Sequence, residues 1–425
     1  MRKIGSINNM MMNYNKSMNY FINFIFLLVS AAFACIIISP NSSVKLMTLG
    51  GFLTVFFLIL NIKDIKKNRV MWICMALFAM GICDLIWYRM YKPSSSEAMN
   101  SYRAYLEIGK ICIFGSSIIL LLSMKKVVRV TGNYIHQLLA LIIQFSIIIY
   151  SMYQAWFLGV TRIDFSLGGG ANATGAAYTV TFLSFYIVMV IQYSVLKWKK
   201  LIILAHFVVT FLVLIGTGTR AAILTYPVIF FGLLLFSMYE EKKFLWKDLI
   251  VFFLAILICS VATKDRLTKR YDNFNHDIAK YSDNNSVSSM GARFAMWETG
   301  LNAAKDNYFW QSTDQRNEKI KRMISEKPEL SGALPFIKGH LHNEIVEILS
   351  LKGPSGLLMY IFFIVSLGWY AVKRVKNPLL FSLLVSIVAY GVSGVMFYAK
   401  TTPVALMLTL IFMIHFLDMN NEKMK

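Results

Sequence analysis

Apolar runs of membrane length, set one after another, fix what this chain can fold into. A helix crosses a bilayer with about 20 mostly apolar residues. Runs of that order fall at roughly 19–39, 44–62, 70–88, 106–124, 135–158, 176–196, 200–216, 221–238, 247–263, 355–372, 377–397 and 402–418. They are continuous rather than alternating, so they read as helices and not as barrel strands. With 57% hydrophobic and 15% charged residues, the chain has too little polar surface for a soluble globule. The expectation is an all-α polytopic membrane protein of about twelve transmembrane helices, folded as a single membrane domain over 1–425.

The formal charge of +21 would suit nucleic acid only if the basic residues gathered on one folded face. Here they fall in small clusters between apolar runs, which is a topology signal and argues against a nucleic-acid partner. With the N-terminus in the cytoplasm, the inside loops carry Arg2, Lys3 and Lys16; Lys63, Lys66, Lys67 and Arg69; Lys125, Lys126 and Arg129; Lys197, Lys199 and Lys200; Lys242, Lys243 and Lys247; Lys373, Arg374 and Lys376; and Lys423 and Lys425. The short outside loops hold only Lys45, Arg89, Lys92, Arg103, Arg162, Arg220 and Lys400. Both termini are therefore expected in the cytoplasm. The polar start and spanning length of the first run read as a retained helix rather than a cleaved signal. The five cysteines all lie inside apolar runs and read as small packing residues.

One long polar interval, 264–354, breaks the pattern and is expected on the outer side. Its mixed charge and helical patterns point to a folded segment on the membrane surface. Ala295, Met296, Gly300 and Leu301 recur at helical spacing, as do Ile345, Val346 and Leu349, so short amphipathic helices are expected in both places. No internal repeat is visible.

Few residues have chemistry to offer. Arg220 follows Gly216-Thr217-Gly218-Thr219 at the junction of two runs, and its five fixed donors suit bidentate grip of a phosphate. A snorkelling interfacial arginine is the plainer reading. Arg293 begins a helical pattern after a run of hydroxyl residues; a solvated loop charge is its plainer reading. His342 can take a proton near neutral pH, with Asn343 and Glu344 adjacent to orient it, or else it caps a helix. His340, His342 and Glu344 share one face of a strand but not of a helix. With no His-Glu-x-x-His and no Asp-x-Asp cluster, no metal centre is expected. Asp84 and Lys110 lie inside apolar runs, where a charge costs about 3 kcal/mol to insert; each needs a partner or a watery cavity, and they can pair with each other. Trp87 and Tyr88 fit an interfacial aromatic belt. Arg162, Asp164 and the Gly-rich 167–175 form an outer loop read as a simple turn.

In their order, Gly-Thr-Gly-Thr-Arg220, Gly-Ala-Arg293-Phe-Ala-Met-Trp297 and His342-Asn-Glu-Ile-Val-Glu-Ile-Leu-Ser-Leu-Lys-Gly353-Pro-Ser-Gly356 resemble the O-antigen ligase and polymerase superfamily. Cys83-Asp-Leu-Ile-Trp-Tyr88 and Ala173-Thr-Gly-Ala-Ala-Tyr178 look like the enterobacterial O-antigen ligases in particular. Many members carry an acidic residue two positions before the first glycine of the histidine motif; here that position is Leu351, leaving Glu344 or Glu347 as substitutes.

The resemblance implies an inner-membrane glycosyltransferase with a periplasmic active site and no metal, cofactor or nucleotide sugar. It would move an O-antigen glycan from undecaprenyl pyrophosphate to the outer-core sugar of lipid A-core, with inversion by single displacement. Arg220 and Arg293 would hold the pyrophosphate and His342 would act as base, with Asn343, Glu344, Asp84 and Lys110 as possible supports. An O-antigen polymerase of the same superfamily is the nearest alternative. A polytopic transporter is a more distant one, expected to show repeat symmetry and broken midplane helices instead of a large one-sided loop.

Overall fold

The computed structural model describes residues 2–62, 68–124, 129–165, 172–305 and 307–421, with the side chains of 2–17, 129–132 and 421 left aside. Lys63, Lys66, Lys67, Lys125, Lys126, Lys423, Lys425 and most of the Gly-rich loop lie outside this set.

Among the described residues the chain is helical without strands. The order is α1 (Arg2–Ala34), α2 (Pro40–Leu60), α3 (Met71–Tyr91), α4 (Met99–Met124), α5 (Arg129–Met152), α6 (Ala173–Gln192), α7 (Lys199–Thr217), α8 (Arg220–Glu241), α9 (Trp246–Ala262), α10 (Lys264–Ser282), α11 (Ser289–Lys305), α12 (Thr313–Glu326), α13 (Glu344–Trp369), α14 (Pro378–Ser393) and α15 (Thr401–Asn421). An apolar helix stands at each of the twelve expected places. Nine of the described helices are long and apolar enough to cross a membrane; the apolar part of α1 (Met18–Ala34), α9 and α14 are shorter.

Helices α6 and α15 are the most deeply enclosed, because their neighbours cover them on all sides. Polar side chains pin this interior: His136 on α5 meets the Tyr186 hydroxyl at 2.9 Å and His415 at 3.0 Å, and Ser184 meets His206 at 2.7 Å. Such bonds give helices a specific register where apolar contact alone does not. All five cysteines are free, and four are buried, in keeping with packing roles.

The polar interval holds more structure than its sequence pattern suggests. The chain turns by 82° between α9 and α10, so α10 departs sharply from the line of the preceding apolar helix. A second apolar core, separate from that between the spans, forms among Ala295, Met296, Ile320, Ile324, Leu330, Ile337, Leu341 and Val346.

The expected helix over 343–351 and the span after it are one element, α13, broken at Gly353 (φ 58°, ψ −158°). Only glycine fits there: a Cβ would stand 2.6 Å from the Phe309 carbonyl oxygen and 2.8 Å from that of Asn307. The expected apolar face is also corrected. Ile345 is 47% exposed, whereas Glu347, Ile348 and Leu351 turn inward with Val346, because α3, α4 and α12 give this turn polar partners as well as apolar ones.

Candidate active site

The junction of α7 and α8 is built by its own sequence. Gly218 closes α7 in the left-handed conformation (φ 61°), its N–H donating to the Ile215 carbonyl at 2.9 Å. The Thr217 hydroxyl accepts the Thr219 N–H at 3.2 Å, and the Thr219 hydroxyl donates to the Ala173 carbonyl at 3.2 Å, tying the turn to the start of α6. Arg162 braces it from outside, donating from Nε to the Thr217 carbonyl at 2.7 Å. A side chain at Gly218 would collide with Arg270, whose Nη2 lies 2.4 Å from the ideal Cβ position. The turn therefore places Arg220 at the head of α8 and lets a second arginine from α10 lie against bare backbone.

These residues open onto a cavity of about 230 Å³ lined by Arg162, Arg220, Arg270 and Arg293, with Asp277, Thr174, Tyr178, Ser289 and Ser393 between them. Arg220 donates from both terminal nitrogens to Asp277 Oδ2, at 3.1 and 3.2 Å, and its guanidinium stands 5.6 Å from the Phe274 ring centre. Among the described residues Asp277 is the single carboxylate in the lining, set against four guanidinium groups. Mutual repulsion shows in their acidities. Arg293 is pulled below the usual arginine range, first by burial and then by Arg220, with Tyr178 and Asp277 opposing. Arg162 is lowered by burial and then by Arg270, Arg293 and Arg220. Guanidinium groups stay charged through such shifts, so the cavity carries an excess of positive charge with forked donors on several walls.

His342 lies at the N-terminal side of α13 with a left-handed backbone (φ 51°). Its ring packs against His340, with centroids 4.2 Å apart, and edge-on to Phe336 at 5.7 Å. Its Nδ1 is buried and has no hydrogen-bond partner. Burial lowers its pKa to about 3, helped by His340 and then by the charge of Arg293, so the imidazole is neutral at physiological pH. Arg293, whose charge acts on His342, is also one of the cavity-lining residues.

The remaining sequence expectations divide. Asn343 and Glu344 do not orient the ring by hydrogen bonds. The Asn343 side chain accepts the Val346 N–H at 3.1 Å, capping α13, and donates to the Val392 carbonyl at 3.2 Å. The Glu344 carboxylate accepts the N–H groups of Met396 and Phe397 in the α14–α15 connection. Glu347 is likewise engaged, by Arg316, Tyr105 and the Leu341 N–H.

Asp84 does not pair with Lys110. It meets Lys352 of α13, while Lys110 pairs with Glu107 one turn earlier on its own helix, at 3.1 Å. Trp87 is not in an interfacial belt: it is fully buried and donates its indole N–H to the Gln311 carbonyl at 3.0 Å. Among the described residues no three His, Cys, Asp or Glu side chains converge to hold a metal ion, and Glu344 is turned away from the two histidines it neighbours in sequence.

Sequence reasoning passed over Arg270 and Asp277 and read Arg162 as part of a turn. A signal for the first two was present: Arg266, Arg270, Asn273 and Asp277 follow the i, i+4, i+7, i+11 spacing of one helix face. Three of those four line the cavity.

A model of the family described as O-Antigen ligase matches residues 205–361, the stretch holding Arg220, Arg270, Asp277, Arg293 and His342. The chain is similar to the O-antigen ligase of Escherichia coli (strain K12), with 31% identity over 382 residues, covering 89% of each chain. A protein of Haemophilus influenzae described as uncharacterized is 30% identical over 136 residues, 30% of this chain and 34% of its own. Identity sustained along almost the whole of a multi-pass chain, together with the family match across the arginine cavity, means that this chain belongs to the O-antigen ligase family.

Proposed function

We propose that the protein transfers an O-antigen glycan from undecaprenyl pyrophosphate to the outer-core sugar of lipid A-core. The observation that carries this reading is the cavity in which four guanidinium groups face one carboxylate, one of the four, Arg293, having a charge that reaches the His342 imidazole. An acceptor sugar hydroxyl attacks the anomeric carbon of the glycan. The new C–O bond forms as the anomeric carbon–phosphate oxygen bond breaks, and undecaprenyl pyrophosphate leaves with its charge against Arg220 and Arg293. Preorganised donors aimed at such developing charge supply the stabilisation that a metal ion supplies elsewhere, so the transfer is metal-independent. His342 accepts the hydroxyl proton, a contribution of typically ~10²–10⁴-fold. Burial and then His340 depress the ring most; a bound pyrophosphate would offset the smaller part that comes from Arg293, which moves the base in the useful direction as the donor arrives. Single displacement inverts the anomeric centre. The basic clusters between the spans support cytoplasmic termini in the bacterial inner membrane and a periplasmic site.

The test is ligation by purified protein with lipid-linked O-antigen and lipid A-core in excess chelator. Product is expected, and activity lost to chelator and restored by magnesium would remove the metal-free reading. Arg220→Lys keeps the charge without the fork and should lower the rate; wild-type ligation by that variant argues against bidentate grip. Normally expressed His342→Ala that still caps lipid A-core would exclude the base. In a deletion strain, long lipid-linked chains should accumulate without reaching lipid A-core, whereas capping by single repeats would indicate a polymerase.

A further inference from the structure

The segment 337–341 leads directly into His342 and is held from two sides by one ion pair. Arg316 on α12 and Glu347 on α13 are 0% and 1% exposed, with Nη1 of the arginine 2.9 Å from Oε1 of the carboxylate. Arg316 Nη2 also donates to the Ile337 carbonyl at 2.9 Å, at the start of the segment. Glu347 Oε2 accepts the Leu341 N–H at 2.8 Å, at its end. Next in the chain is His342, in the left-handed conformation that non-glycine residues seldom adopt. Such a backbone persists only where its surroundings over-determine it.

A buried ion pair is a weak device for stability, since apolar residues of similar volume often replace it without loss. It is a strong device for geometry, because both charges demand fixed partners. Here the partners are the two ends of the segment that delivers the proposed base.

We propose that Arg316 and Glu347 form a buried clamp that sets the backbone of 337–341 and so holds the His342 imidazole where the acceptor hydroxyl is deprotonated. Both are positioning residues. The inference rests on the reading of His342 as base, and the measurements separate the two.

The experiment compares Arg316→Met/Glu347→Leu, which removes both charges together, with the parent and with His342→Ala, in detergent, using lipid-linked O-antigen and lipid A-core. The clamp variant should lose roughly 10–100-fold in kcat, the range expected when a reacting group shifts by about 1 Å. Its KM for the lipid-linked donor should stay within about twofold, because the arginine cavity is untouched. Placed on His342→Ala, the same substitutions should cause no further loss, since there is no base left to misplace. A purely structural role would lower the residual rate of His342→Ala as well.

A clamp variant with parental kcat, or with an equal loss in the His342→Ala background, overturns the proposal. If His342→Ala itself works at the parental rate, the base assignment falls, and the clamp with it. If His342→Ala is impaired and the clamp variant is not, only the clamp falls. Should the double variant not be recovered folded, Glu347→Gln carries the same prediction. It keeps an acceptor for Leu341 and should lose about 3–10-fold in kcat, again only when His342 is present.

Discussion

The Lys352 ammonium on α13 is held between the Asp84 carboxylate on α3 and the ring face of Tyr105 on α4, whose centroid lies 4.5 Å away. This contact, with Trp87 donating to the Gln311 carbonyl and Tyr91 donating to the Trp310 carbonyl at 2.6 Å, fastens the α3–α4 hairpin to α13 and to the α11–α12 connection.

Removing one partner should therefore be worse than removing both. Asp84→Ala leaves a buried ammonium uncompensated and should cost about 3–5 kcal/mol of stability, whereas Asp84→Leu/Lys352→Met should be close to neutral. Thermal unfolding in detergent compares them; equal destabilisation by the two would show that the pair contributes nothing specific.

Gly218→Ala tests the junction itself. A left-handed alanine costs about 1–2 kcal/mol, and its methyl group would displace Arg270. The expected result is lower thermal stability together with a KM for the lipid-linked donor raised about tenfold, equivalent to about 1.4 kcal/mol. A stability loss with unchanged KM would mean that Arg270 does not bear on the donor.

Asp277→Asn keeps an acceptor for Arg220 but removes the carboxylate that faces the four guanidinium groups in the cavity lining. Inorganic pyrophosphate should bind several-fold more tightly, with a steeper salt dependence, as followed by calorimetry. Weaker binding would mean that aiming Arg220 matters more than the charge that Asp277 cancels.

The pH response of the histidine motif has a definite sign. His342 and His340 have pKa values of about 3 and about 4 in the fold, against about 6.5 when unfolded. Below pH 6.5 the unfolded chain binds more protons, so their contribution to stability is complete above that pH and declines as pH falls towards 3. In a ¹³C-histidine NMR titration, the resonance missing from His342→Ala should remain neutral down to pH 5. A midpoint near 6.5 would show a solvated ring.

How much of this was legible depends on the range over which each feature is encoded. The spans are written in contiguous apolar runs, and the Gly-Thr-Gly-Thr-Arg220 turn in five adjacent residues, so both could be read directly. Arg293 and His342 stood out because each belongs to a short contiguous phrase, Gly-Ala-Arg293 after a run of hydroxyl residues and His342-Asn-Glu. The convergence of Arg293 with Arg162, Arg220 and Arg270 was not visible, since it depends on how α6, α8, α10 and α11 pack. Asp84 was matched with the nearest plausible cation, Lys110, because periodicity carries no information on Lys352, 268 positions away. The Arg316–Glu347 pair was hidden for the same reason: each residue, read locally, belongs to an ordinary charged helix face.

The imbalance of four guanidinium groups against one carboxylate bears on the end of the reaction as well as its course. On the proposed chemistry, the glycan departs while the lipid carrier keeps both phosphates, so the grip that favours bond breaking also retains the product. Turnover is then paced by escape of the spent carrier, and a first rapid turnover ahead of a slower steady state is its kinetic mark. A steady rate from the first turnover would place the slow step in the chemistry instead.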